Sequence, residues 1–169
     1  MQIDLRMAGS MQIKIIAVGK IKEKYLREGI AEYEKRLRPY VKLQILELAE
    51  EKRPTPSPDS AETIVKKKEG ERILAAIPSR SLVIALDPRG VDWSSQELAE
   101  AFWRWEIAGK GPLTFIIGGD LGLSPPVIEK SEMRLSLSRM TFTHRMARLI
   151  LLEQIYRAER INHGEPYHK

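Results

Sequence analysis

Three glycines in one short stretch are the first residues of this chain that could hold a ligand. In "FIIGGDLGLSP", residues 115–125, an apolar run empties straight into Gly118, Gly119 and Gly122. Glycine permits positive φ and lets a ligand approach the main chain closely. A strand that ends this way suits a phosphate, a nucleotide or a bent cofactor. The spacing is G-G-x-x-G, not the G-x-G-x-x-G of a dinucleotide fold. The next strand offers Ser136 and Ser138 where a ribose-binding carboxylate would be required. No Gly-Lys-Ser/Thr follows, which excludes a Walker A loop. Taken alone, the glycines serve equally well as a tight strand exit and nothing more.

The turn has company. "ALDPRG" and "LSLSRMTFTH" leave two further strands in the same half of the chain. Ligands of open parallel sheets bind at the carboxyl ends of the strands. Leu86, Leu137 and Met140 can wall a flat ring there, which suits adenine held mostly by main-chain groups. Candidates for proton or anion chemistry are His144, His168, Arg145 and Arg148. A histidine near neutral pKa can accept a proton, and an arginine can stabilise an anion without exchanging one. Each also has a plain structural reading, as a local hydrogen bond or a solvated helix face. Glu153 and Arg157 are spaced for an i,i+4 pair. Three histidines without ligand spacing to carboxylates indicate no metal site.

Composition narrows the partners. The 169 residues carry a formal net charge of +5, which favours an acidic partner such as nucleic acid. There is no cysteine, so disulfides, thiolate nucleophiles and zinc-cysteine sites are excluded. No apolar run approaches the ~18 residues of a membrane span, and no secretory signal is visible, so the expected location is the cytoplasm. The Gly9-Ser10 pair before Met11 resembles a cloning scar. Residues 1–10 are therefore read as a tag or extension, and residues 11–169 as a single domain.

The elements that must position these groups alternate. Strands are expected over Gln12–Val18, Val41–Leu48, Ser81–Leu86, Pro112–Ile117 and Met133–Met140. Helices are expected over Lys22–Arg38, from Asp59 or Ser60 to Ile77, from Ser94 or Ser95 to Gly109, after Ser124, and from Thr143 to Asn162. "EKRPTPSPDS" is a proline-rich loop that could close over the site. This is an α/β pattern with a mostly parallel sheet flanked by helices. Leu149, Ile150, Leu151, Leu152, Ile155, Tyr156, Ala158 and Ile161 cover most of the last helix's circumference. A helix apolar nearly all round must be covered nearly all round, which suggests a second subunit.

The ordered set "ALDPRG … FIIGGDLG … LSLSRMTFTHRMARLILLEQIYRA … INHGEPYHK", with the opening "MQIKIIAVGK" and "EYEKRLRPY", resembles the ribosomal RNA large subunit methyltransferase H family of the SPOUT superfamily. The similarity is collinear from Met11 to Lys169. It implies a SPOUT-type α/β knot, with a deep C-terminal trefoil, and a homodimer. It implies S-adenosylmethionine as methyl donor, contacted by Leu86, Gly118, Leu137, Ser138, Arg139, Met140, Thr141 and Phe142. It implies methylation of N3 of a pseudouridine in 23S rRNA of the assembled ribosome, without metal or membrane. The resemblance implies that the terminal "YHK" reaches the partner subunit's active site, so Tyr167 and His168 are expected on the substrate side, with Arg145 as a third candidate. Arg134, Arg139, Arg145, Arg148, Arg157, Arg160 and Lys169 form a basic set for RNA. The alternatives are a SPOUT RNA methyltransferase acting on a different nucleotide and a non-catalytic ribosome-binding protein of the same fold.

Overall fold

A computed structural model describes residues 11–53 and 58–167. Five strands and five helices follow one another: β1 (Met11–Val18), α1 (Lys24–Leu37), β2 (Val41–Leu48), α2 (Asp59–Ala76), β3 (Leu82–Asp92), α3 (Ser95–Ile107), β4 (Leu113–Ile117), α4 (Pro125–Lys130), β5 (Met133–Ser136) and α5 (His144–Asn162). The strands form one sheet in the order β2-β1-β4-β3-β5, and every pairing is parallel. A parallel sheet needs cover on both faces. All five residues of β4, at the centre, are buried.

The period of two along β1 divides the core into two layers. Ile13, Ile15 and Ala17 face the layer that holds Phe102, Phe115, Leu151, Leu152 and Ile155 under α1, α3 and α5. Ile16 and Val18 face Ile73, Val83, Ile116 and Val127 under α2 and α4. α5 packs between α1 and α3. Ser95 Oγ donates to Gln154 Oε1 at 2.6 Å and Asn162 Nδ2 to the Ala99 carbonyl at 2.9 Å, fixing its position against α3. Leu151, Leu152, Ile155, Tyr156 and Ala158 are buried within this one chain, while Leu149, Ile150 and Ile161 are half-buried. The chain itself thus supplies most of the cover that the sequence pattern suggested a second subunit would give.

Two helices start where the sequence places a cap. Ser94 accepts from the Glu97 amide and the Glu97 carboxylate accepts in turn from the Ser94 amide, a closed capping box. Thr143 accepts from the Met146 amide at 3.2 Å, fixing where α5 begins. Two strands differ from expectation. β5 stops at Ser136 because side chains turn the chain: Ser136 Oγ donates to the Ser138 carbonyl and Ser138 Oγ accepts from the Met140 amide. β3 runs on to Asp92 because the segment after Leu86 loops out and returns, so that Val91 and Asp92 pair with Leu135 and Ser136. Gly90 permits that return, since a Cβ there would sit 2.6 Å from the Arg134 carbonyl group. Among the described residues no helix is long and apolar enough to cross a membrane.

Candidate functional site

The exits of β3, β4 and β5 open on a single cavity of about 880 Å³. The β4 exit contributes Gly118, Gly119 and Gly122. The Gly122 amide donates to the Gly119 carbonyl at 3.1 Å, and Gly122 has a φ of +84°. A side chain at Gly118 would collide with Leu123, at 2.8 Å, whereas a Cβ at Gly122 would meet nothing within 4 Å. The turn is therefore closed on its core side and open on the other. That open main chain is what a bound molecule would meet.

Of the residues that the resemblance assigns to a cofactor, Leu86, Gly118, Leu137, Ser138, Met140, Thr141 and Phe142 line this cavity. Arg139 is exposed and is not among the lining residues. Arg145 lines the cavity from the first turn of α5, and His144 beside it lies 3.2 Å from Glu50 Oε1 through Nε2. Tyr167 lies elsewhere. Its hydroxyl donates to Glu153 Oε1 at 3.2 Å and stands 3.5 Å from the Tyr33 hydroxyl, with Arg157 over its ring at 4.8 Å. Burial, then Tyr33 and Glu153, push its phenol further above the usual range, so it is a hydrogen-bond donor here and not a base. His168 falls outside the described residues, as do residues 54–57 of the proline loop and residues 1–10.

Composition does not show the sign of this cavity. Six carboxylates line it, Glu23, Glu50, Glu51, Glu69, Asp87 and Asp120, against the guanidinium groups of Arg53 and Arg145. A chain of net positive charge therefore presents a predominantly acidic hollow at its strand exits. Glu69, on α2, accepts from the Glu51 amide at 3.0 Å and stands under Gly119. Burial pushes its carboxyl up, and Glu50 and Asp120 add to the effect. Burial also pushes Asp87 up, but the Arg89 amide and guanidinium and Arg134 outweigh it and hold that carboxyl low. Glu23 is held low by its own backbone amide and by Arg145, whose Nη1 donates to Glu23 Oε1 at 2.9 Å. Glu23 Oε2, Asp87 Oδ2 and Arg145 Nε are buried without a hydrogen-bond partner among the described residues.

Periodicity misses these carboxylates because they arrive from five separate segments. Glu23 precedes α1, Glu50 and Glu51 follow β2, Glu69 belongs to α2, Asp87 to β3 and Asp120 to the glycine turn. Of the basic set expected to meet RNA, Arg139 is exposed and Lys169 lies outside the described residues, while the others are ion-paired. Arg145 is paired with Glu23, Arg148 with Glu47, Arg157 with Glu153, Arg160 with Glu165 and Arg134 with Asp87. Among the described residues no group of His, Cys, Asp and Glu is arranged to hold a metal ion.

Comparison with known proteins bears on this site. The family model described as "Predicted SPOUT methyltransferase" matches residues 11–168. A protein of Methanoregula boonei is 62% identical over 159 residues, covering 94% of this chain and 100% of its own length. The "Ribosomal RNA large subunit methyltransferase H" of Carboxydothermus hydrogenoformans is 57% identical over 160 residues, with the same coverage. The protein of that name from Clostridioides difficile is 55% identical over 159 residues, again covering 94% of this chain and 100% of its own length.

Proposed function

The chain belongs to the SPOUT methyltransferase family, and on that premise we propose that it uses S-adenosylmethionine to methylate N3 of a pseudouridine in 23S rRNA of the assembled ribosome. The observation that carries the donor assignment is the cavity, acidic in its lining and apolar at Leu86, Leu137 and Met140. The donor supplies an activated methyl group on a positively charged sulfur. Carboxylates suit its sulfonium and ammonium charges, the apolar walls suit a flat adenine, and the open main chain at Gly122 allows close approach. A triphosphate would meet more carboxylates than guanidinium groups in the same space, which suits it poorly. No carboxylate need act as a nucleophile. The task of the chain's own residues is to hold donor and acceptor in line and to exclude other geometries.

The acceptor is the harder side of the reaction. N3–H of a pseudouridine is weakly acidic, so its anion must be stabilised or its proton removed. Arg145 suits the first role: it lines the cavity, and a guanidinium can stabilise an anion without exchanging a proton. Tyr167 and His168 belong to this proposal as substrate-side residues delivered from a second copy. Tyr167 is held on α1 and α5, away from its own cavity, and serves a site only if another chain's cavity faces it. The homodimer and the trefoil knot threaded by α5 are parts of the same reading, as is a cytoplasmic location, where ribosomes work. The relatives' names, which specify the large ribosomal subunit, support the RNA class.

Label transfer tests the whole. The protein is incubated with methyl-labelled S-adenosylmethionine and intact ribosomes that lack this modification, and the rRNA is digested to nucleosides. The expected result is label in N3-methylpseudouridine. Label in another nucleoside overturns the target, and no label with donor bound leaves a binding protein.

A further inference from the structure

The cavity's lining is acidic, so the RNA backbone must be held outside it. We infer that the lip running from the β1–α1 loop into the first turn of α1, Lys20 to Arg27, is where the rRNA docks, with Tyr25 stacking on a nucleobase at the cavity mouth. This rests on the proposed function and adds to it the surface that receives the substrate.

Tyr25 lines the cavity, yet 63% of its surface is exposed. A contiguous group of exposed apolar side chains at the mouth of a site marks a surface that a partner covers. Tyr25 is not isolated: Met140 and Phe142, also exposed, stand on the same cavity. What sets Tyr25 apart is its neighbours in sequence. Lys20, Lys22, Lys24 and Arg27 surround it, all exposed. Lys20 and Lys22 form no ion pair among the described residues, and Lys24 has only a 3.6 Å surface contact with Glu28. An aromatic face interleaved with free cations is the arrangement that binds a single strand, bases on the ring and phosphates on the cations. The C-terminal arginines, by contrast, are largely engaged in internal ion pairs.

The lip is also held in place. Arg27 Nη1 donates to the Lys22 carbonyl at 3.1 Å, and Arg145 ties Glu23 to the start of α5. Glu23 at the N-cap makes no side-chain cap bond, because its carboxylate is turned to Arg145. Tyr25 thus stands next to the one arginine that faces the reacting base in the proposed mechanism. A base drawn out of its loop would pass from the Tyr25 face towards Arg145, while its phosphates stay on the lysines.

The test uses Tyr25→Ala, Tyr25→Trp and the triple variant K20Q/K22Q/K24Q in the full chain, with thermal melts to confirm folding. Two measurements are made on each: KM for ribosomes in the methyl-transfer assay, and sedimentation binding to large subunits across a salt series. Tyr25→Ala is expected to raise KM about 10-fold, and Tyr25→Trp to restore it, because any aromatic face stacks. The triple variant is expected to lower the slope of log affinity against log salt by roughly two to three, about 0.7–0.9 for each phosphate no longer neutralised. Unchanged KM for Tyr25→Ala overturns the inference. So does a fall in kcat with KM and ribosome binding intact. Loss of dimer in Tyr25→Ala, seen by sedimentation of the protein alone, would assign the lip to a second copy and overturn it too. If the wild type transfers no methyl group, the proposed function fails while the binding series still decides the lip. Subunits bound by wild type and released by the variants uphold it, and equal binding overturns it.

Discussion

The inner face of α5 and the lip of the cavity carry their charges in opposite ways. Arg148 and Glu159 on α5 are 2% and 6% exposed, whereas Lys20, Lys22 and Lys24 stand in water. The buried arginine is paired through both terminal nitrogens, though its Nε has no partner among the described residues: it donates to Glu47 and, at 2.8 Å, to the Gly19 carbonyl, joining α5 to the ends of β1 and β2. Glu159 has no such match. Burial, and after it the charge of Glu106, pushes its carboxyl up to about 8, so it sits inside as the neutral acid at neutral pH. His163 Nδ1, at 3.8 Å from Glu159 Oε2, is too far for a hydrogen bond. Charge inside this protein holds elements together or is neutralised by its surroundings. Lys20 and Lys22 on the lip do neither, for they enter no ion pair among the described residues, and in the proposed docking they meet the phosphates of the rRNA.

The largest effect that would break this comparison is expected at Arg148. Arg148→Ala leaves Glu47 and the Gly19 carbonyl without their partner and should lower stability by about 3 kcal/mol, read from urea unfolding. Arg148→Lys should recover little, since an ammonium cannot reproduce two forked bonds. A loss below about 1 kcal/mol would mean that this buried charge is no more structural than the lip's.

Glu159 sharpens the same point through pH. Its folded pKa lies above that of the unfolded chain, so folded protein binds the extra proton between pH 4.5 and about 8. Stability therefore falls as pH rises through that window, by no more than roughly 1.4 kcal/mol per pH unit. Glu159→Gln should flatten the curve, so that the variant gains on the wild type as pH rises. Melts at several pH values that run parallel for the two proteins would sink this reading.

Gly122, between the two regions, should show a smaller and purely local effect. Gly122→Ala has room for its Cβ but not the preferred φ, a strain of about 1 kcal/mol. Methyl transfer should fall more than stability does, because the altered turn borders the cavity. The smallest expected effect is on the lip: Lys20→Gln with Lys22→Gln should move stability by less than about 0.5 kcal/mol while weakening ribosome binding. A destabilisation like that of Arg148→Ala would erase the distinction between the regions.

Much of the fold was legible because it is written in local patterns. The central strand is apolar but for Thr114, α3 announces itself with the Ser94-Ser95 pair, and α5 with Thr143. The same is true of the glycine turn and of Leu86, Leu137 and Met140, which lie at strand exits where an α/β sheet collects ligands. The bulged end of β3 was not legible, because it depends on how closely Gly90 approaches β5 rather than on any period. Nor was the acidic lining, whose members come together only when five segments fold. Arg148 and Tyr25 show the limit most plainly. In sequence one is a cation on a helix and the other an aromatic near a helix start, yet the arginine is interior and the tyrosine is outside.

The strand order β2-β1-β4-β3-β5 sets a timetable for folding as the chain is made. β1 and β2 emerge first and can pair at once, but β1's other edge stays an open row of amides and carbonyls until Leu113–Ile117 is synthesised. β3 emerges earlier than β4 and has no neighbour to join until the central strand arrives. With every pairing parallel, no local hairpin can hold the halves in the meantime. The half-made chain therefore carries unpaired apolar strands, the usual seeds of aggregation, and its assembly waits on long-range closure by its short, fully buried central strand.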